Sequence, residues 1–292
     1  MTVSGALFAP GFFSSGPVHT ALALGGVVAI VCGIVGVFTV IRGQAFAGEA
    51  LSDIGAAGGS ASFLASVSPV WGFLAASLAA AAAMEMIGVQ RARGRDLATG
   101  IVLGTSLGLA ALFLYLDSTL RSTTGTTVSV LFGSMFALSS SLIPAVVSLS
   151  VVSAGLVCLI QRPLMLSSMN PDLAAVRGVR VRLLGIAYLA ALAVAVALAA
   201  LTIGAILGTA LLVGPAATAL RITRRPGLAM LTAAGLGVLA VVIGVVLAYD
   251  SFLWPGHGWP VSFFVVTLVF LFYLVFGLPG SRRSSQREQG GG

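Results

Sequence analysis

The sequence contains no lysine; all 15 of its basic residues are arginine. Charge of either sign is scarce, because Asp, Glu, Lys and Arg together make up only 8% of the 292 residues. A soluble domain carries roughly 25%. With 58% hydrophobic residues and a mean hydropathy of +1.10, this deficit excludes a soluble enzyme. Cysteine is nearly absent as well. Cys32 and Cys158 lie in separate apolar runs without CxxC spacing, so both are expected to be small core residues. The two histidines, His19 and His257, are far apart and close to expected external ends, which makes them surface residues rather than ligands. The chain has no HExxH, no Gly-x-Ser-x-Gly and no GxxxxGK[ST] loop. Metalloprotease, serine hydrolase and P-loop ATPase chemistry therefore have no carrier here, and the chain is read as not an enzyme. The N-terminus has neither a charged n-region nor a clear cleavage site, so no removable signal peptide is expected.

What the chain does have is a succession of long apolar runs. They predict an all-α, polytopic transmembrane helical bundle of about eight to nine spans. The expected spans are 21–41, 46–67, 70–89, 97–116, 142–160, 183–200, 203–222, 228–247 and 261–278. Residues 1–18 are expected to lead in along the interface, with Phe8, Phe12 and Phe13 near the headgroups, and Trp254 and Trp259 form an aromatic belt. The segment 128–136 is too short to cross and reads as a partial or re-entrant helix, and Asp117 to Thr127 as an external loop. Residues 1–280 are taken as one transmembrane domain, and 281–292 as a disordered tail.

The arginines set the orientation. With nine spans and the N-terminus outside, Arg42, the Arg91–Arg93–Arg95 cluster, Arg162, Arg177, Arg180, Arg182, Arg221, Arg224, Arg225 and the tail arginines share one side, and Arg121 alone falls on the other. The positive-inside rule assigns the arginine-bearing side to the cytoplasm, the C-terminus included. A net charge of +7 therefore marks topology, not a nucleic-acid surface.

Glu49 and Asp53 are four residues apart in the second span. On a helix that spacing stacks them on one face. Two carboxylates on one face of a membrane segment are costly unless a counter-ion visits them, so the pair is the candidate cation contact. The competing reading is two acids at the membrane edge, solvated or bonded to Gln44 and Ser52. Two carboxylates are few ligands, and a symmetric dimer presenting the pair twice would supply four. Glu85 is read as a snorkelling partner of the nearby arginines. Gly55 with Gly59, and Gly100, Gly104 and Gly108, form small-residue stripes suited to tight packing. In the long polar connection 161–182, Asn170 and Pro171 can start a short surface helix, Asp172 favours its N-terminus and Gly178 can end it. In the seventh span, Gly204 and Gly208 make a GxxxG pair and Pro215 is expected to kink the helix.

Several stretches resemble the membrane permeases of zinc- and manganese-type ATP-binding-cassette importers, over about residues 33–278. Those permeases carry a segment like GDALSHA, and here Gly48 to Ile54 reads GEALSDI. The run RGRDLATGIVLGTSLGLAALFL, the segment VLFGSM, the loop NPDLAAVRGVRV and the span IGAILGTALLVGPAATALRI are similar to the family's corresponding parts. The resemblance implies a homodimeric permease in a bacterial plasma membrane, two cytoplasmic ATP-binding subunits and an extracytoplasmic metal-binding protein. No cofactor is implied; the divalent metal (manganese, zinc or iron) is cargo. It further implies that the segment from Asn170 to Arg182, including Asp172, Ala174, Arg177 and Gly178, is the helix that docks in the ATPase. The family's metal-contacting Asp and His fall on Glu49 and Asp53, and both depart from the pattern. Loss of the imidazole takes away a ligand suited to zinc, whereas an all-carboxylate pair suits harder ions such as manganese. The competing functional reading is an ion-gradient-driven secondary transporter or channel with Glu49 or Asp53 as a proton relay. A purely structural membrane anchor would leave the paired acids unexplained.

Overall fold

The computed structural model describes residues 12, 15–87, 95–121, 124–133, 135–136, 138–251 and 258–277. The expectations for Phe8, Phe13, Arg91, Arg93, Trp254, His257 and the 281–292 tail lie outside these residues. Every regular element among the described residues is helical. In chain order they are α1 (Gly16–Ile41), α2 (Ala45–Leu64), α3 (Pro69–Ile87), α4 (Arg95–Arg121), α5 (Thr124–Phe132), α6 (Ile143–Met169), α7 (Pro171–Val176), α8 (Val181–Ile203), α9 (Ala205–Ile222), α10 (Pro226–Ser251) and α11 (Val261–Gly277), with a 3-10 turn at Ser140–Leu142 before α6.

Seven of these helices are long and apolar enough to cross a membrane: α1, α3, α4, α6, α8, α9 and α10. The 20-residue α2, which carries the carboxylates, and the 17-residue α11 complete the expected set. The chain is thus an all-α, multi-pass membrane bundle. Lipid replaces water around it, so its outer surface stays apolar and its interior is recognised by small residues and satisfied polar groups. At its centre α1 packs on α10, α9, α6 and α8. Within their spans α8 and α1 are 78% and 67% buried, against 22% for α4 and α6, which face outward.

Close approach of backbones is built from glycine. A Cβ at Gly58 or at Gly72 would run into the carbonyl of the other residue, so α2 and α3 can meet only where both side chains are missing. Gly55 and Gly59 continue that contact against Ser77 and Phe73. Gly204, with φ of +104°, separates α8 from α9 as the only residue between them. An L side chain rarely adopts that backbone conformation. Gly204 is therefore a chain reversal, and it also lies in close contact with the Leu131–Gly133 backbone at the end of α5. Gly208 serves packing too, lying against the Ala199–Ala200 backbone of α8. Pro215 is buried within α9, which remains one helix through it. Arg221 at the end of α9 bonds the Tyr273 hydroxyl of α11.

Several expectations are corrected. Gly100, Gly104 and Gly108 do not mediate tight packing within the chain; a Cβ at each would meet nothing within 4 Å. Asp117 is not in an external loop, because α4 runs on to Arg121 and most of the remaining segment forms α5. The polar run from Gln161 begins inside α6, which continues through Pro163 to Met169. Phe12 is buried, edge-on to Tyr249 at 5.3 Å, instead of lying among headgroups. Cys32 is buried as expected, but Cys158 is exposed on α6. Glu85 Oε1 lies 3.8 Å from Nε of Arg182 on the adjacent α8, a contact beyond the nearby arginines that the sequence suggested.

Candidate functional site

The Glu49–Asp53 pair sits in the first half of α2, and α2 is wedged between α3, α4, α8 and α9. At 1.5 Å rise per residue, Asp53 lies about 12 Å along a helix of about 30 Å, close to the middle of the span. Glu49 is half-buried. Asp53 is 7% exposed, and its Oδ2 has no hydrogen-bond partner. Ser52 donates its proton to the Ala205 carbonyl at 2.9 Å, and the Gln44 Oε1 is itself buried and unpartnered. The Ser52 bond also fixes α2 to the start of α9, one residue beyond the Gly204 reversal. A buried carboxylate at mid-span with one oxygen lacking a donor is a site that a cation can satisfy.

Among the described residues no group of three or more His, Cys, Asp or Glu side chains gathers to hold a metal. The structure sets Glu49 and Asp53 one turn apart on α2, and among the described residues no third His, Cys, Asp or Glu joins them.

The short surface helix forms as the sequence predicts. Asn170 caps α7, its Oδ1 accepting from the Leu173 amide at 3.0 Å, with Pro171 at the first helical position and Asp172 in the first turn. Gly178 follows with φ of +79°. Ala174 is fully buried and anchors α7, while Asp172, Arg177 and Gly178 are exposed. The anchor rests on α6 and α8. Next to it, Arg42 at the end of α1 donates to Ser167 and Ser168 of α6 and lies over the Tyr188 ring of α8, with 5.3 Å between Cζ and the centroid. Sequence reasoning missed Tyr188, whose hydroxyl bonds Thr39; one tyrosine in an apolar run gives no pattern to read. It also missed the burial of Asp117, because Ser and Thr after it mimic a loop.

The profile of the ABC 3 transport family matches residues 17–277. This chain belongs to that family. It is 28% identical over 267 residues to the manganese import system permease protein ScaB of Streptococcus parasanguinis, covering 91% of each chain. It is 28% identical over 257 residues to the high-affinity zinc uptake system membrane protein ZnuB of Haemophilus influenzae, covering 87% of this chain and 94% of that one. The fold is shared with PsaBC from Streptococcus pneumoniae, solved in complex with Fab, at a TM-score of 0.79 and 22% identity over 95% of this chain and 97% of that one. The family resemblance read from GEALSDI and the later spans is thereby borne out, and the chain is a membrane permease of ABC 3 type.

Proposed function

We propose that this chain forms the translocation pathway of an ATP-driven importer of divalent metal ions. Two copies pair, two cytoplasmic ATP-binding subunits dock on α7 of each, and an external metal-binding protein delivers the ion. Glu49 and Asp53 are the metal contacts. The observation that carries this reading is the pair itself: two carboxylates one turn apart at mid-span, one of them buried with an unsatisfied oxygen.

The chain performs no covalent chemistry. Hydrolysis in the partner subunits drives a rocking motion that exposes the pair first outward and then inward. The all-oxygen pair favours manganese over zinc, because zinc gains more from imidazole or thiolate ligands. Asn170 and Asp172 set the first turn of α7, Ala174 roots it in the bundle, and Arg177 and Gly178 shape its far end. Motion in the ATPase is then passed to α6 and α8. The clustering of arginines on the α7 side supports a cytoplasmic placement of that side and of the C-terminus.

Glu49→Gln combined with Asp53→Asn tests the reading. The variant should assemble in the membrane and lose uptake of radiolabelled manganese, zinc and iron. Unimpaired uptake would remove the pair from the pathway. Active transport by the chain alone in liposomes, collapsing with the proton gradient, would replace the ATP-driven reading with a gradient-driven one.

A further inference from the structure

Asp117 takes no part in the site described so far. It lies near the end of α4, on the opposite side of the bundle from α7. It is 1% exposed, and neither carboxylate oxygen has a hydrogen-bond partner. Ser106, Ala110, Leu114 and Asp117 are the buried positions of α4; their spacing of four, four and three makes one helix face. The principal partner of α4 is α2. On α2, Glu49, Asp53 and Ser60 recur at four and seven residues and so share a face as well. Ser60 is fully buried, and its hydroxyl has no partner either. Two packed helices thus carry buried oxygens without a hydrogen-bond partner, Asp53 Oδ2 and the Ser60 hydroxyl on α2 and both Asp117 oxygens on α4. Helix α5 lies against both helices.

We infer that Asp117 is a second cation position, on the outer side of Glu49 and Asp53, through which the incoming divalent metal passes. The inference rests on the importer reading above. The physical argument is one of cost. Burying a carboxylate whose two oxygens both lack donors costs several kcal/mol, and a folded chain tolerates this where an ion supplies the missing contacts. Hard oxygen ligands, carboxylate and hydroxyl, suit manganese or magnesium rather than a soft metal. Spacing two weak positions along one route also lets an ion enter and leave, whereas a single deep site would trap it.

The test uses the full-length chain in lipid nanodiscs with manganese chloride as probe, and manganese uptake in cells containing the whole transport system. Asp117→Asn removes the charge at constant shape. Its metal-free Tm should equal or exceed that of the parent, because an uncompensated buried charge is gone. The manganese-dependent rise in Tm should shrink, and the concentration for half-maximal uptake should rise about tenfold, equivalent to one lost interaction of about 1.4 kcal/mol. Asp117→Glu should restore both. A lower metal-free Tm in Asp117→Asn would show a structural partner and overturn the proposal. So would an unchanged half-maximal concentration, or reproduction of the whole phenotype by Arg121→Gln, which would make Asp117 a counter-charge for the residue four positions on. If Asp117→Asn is silent while the Glu49–Asp53 variant loses uptake, only this inference falls; if both are silent, the importer site falls with it.

Discussion

Thr39 on α1 and Tyr188 on α8 share a 2.8 Å hydrogen bond in the fully buried interior, beneath the Arg42 guanidinium. Thr39 donates its one hydroxyl proton to the Val35 carbonyl of its own helix at 3.1 Å and so accepts from the tyrosine hydroxyl. Through Arg42 the same knot reaches Ser167 and Ser168 of α6, beside the root of α7. Tyr188→Phe removes one buried hydrogen bond and keeps the ring. It should lower unfolding stability in detergent by about 1 kcal/mol, read as a small fall in Tm, with uptake retained. Arg42→Ala should cost more, since it removes both serine contacts and the stacking on Tyr188 together. Equal melting temperatures for both variants and the parent would show that the knot contributes nothing.

Asp53→His places an imidazole one turn from Glu49, as in the family segment that GEALSDI resembles. The substitution should raise zinc uptake relative to manganese in side-by-side assays, because nitrogen ligands favour zinc. An unchanged zinc-to-manganese ratio would mean that Asp53 does not touch the transported ion.

The Gly204 reversal and the open glycines of α4 call for opposite outcomes. Gly204→Ala forces a side chain into a left-handed backbone and against the Leu131 carbonyl. It should destabilise the fold by about 1–3 kcal/mol or more and reduce the amount of protein in the membrane. Gly104→Ala meets nothing within the chain and should be neutral or stabilising by up to about 1 kcal/mol. Melting curves of the two variants decide between packing and backbone roles at these positions.

Much of this was legible in advance, and the reasons differ from residue to residue. Long apolar runs give spans because the bilayer fixes their length. Asn170–Pro171 and Gly178 give α7 because cap chemistry is local. GEALSDI is legible because two acids stand out against hydrocarbon. Gly100, Gly104 and Gly108 misled because a small-residue stripe says that a helix can be approached, not that anything in the same chain approaches it. Asp117 misled because Ser, Thr and Gly after it look like a loop, whereas its burial depends on α2 and α5, which no local pattern encodes. Glu85 finds Arg182 from 97 positions away, a pairing set by how α3 and α8 cross and not by anything near either residue.

The cap of α7 is open to a separate check. Asn170→Ala should cost about 1 kcal/mol locally and loosen the helix without disturbing the spans. With the ATP-binding partner present, ATP hydrolysis should persist while uptake per ATP falls. Arg177→Ala should do the same from the exposed end. Full coupling in both variants would remove α7 as the docking element.

A single residue between α8 and α9 leaves those two helices no slack. Neither can slide or tilt far without dragging the other, and Ser52 hooks α2 to the same corner. When the outer mouth opens, this hairpin has to travel as one stiff arm. The compliance needed for gating is then left to the long, thinly packed α4 and the nine-residue α5 beside it.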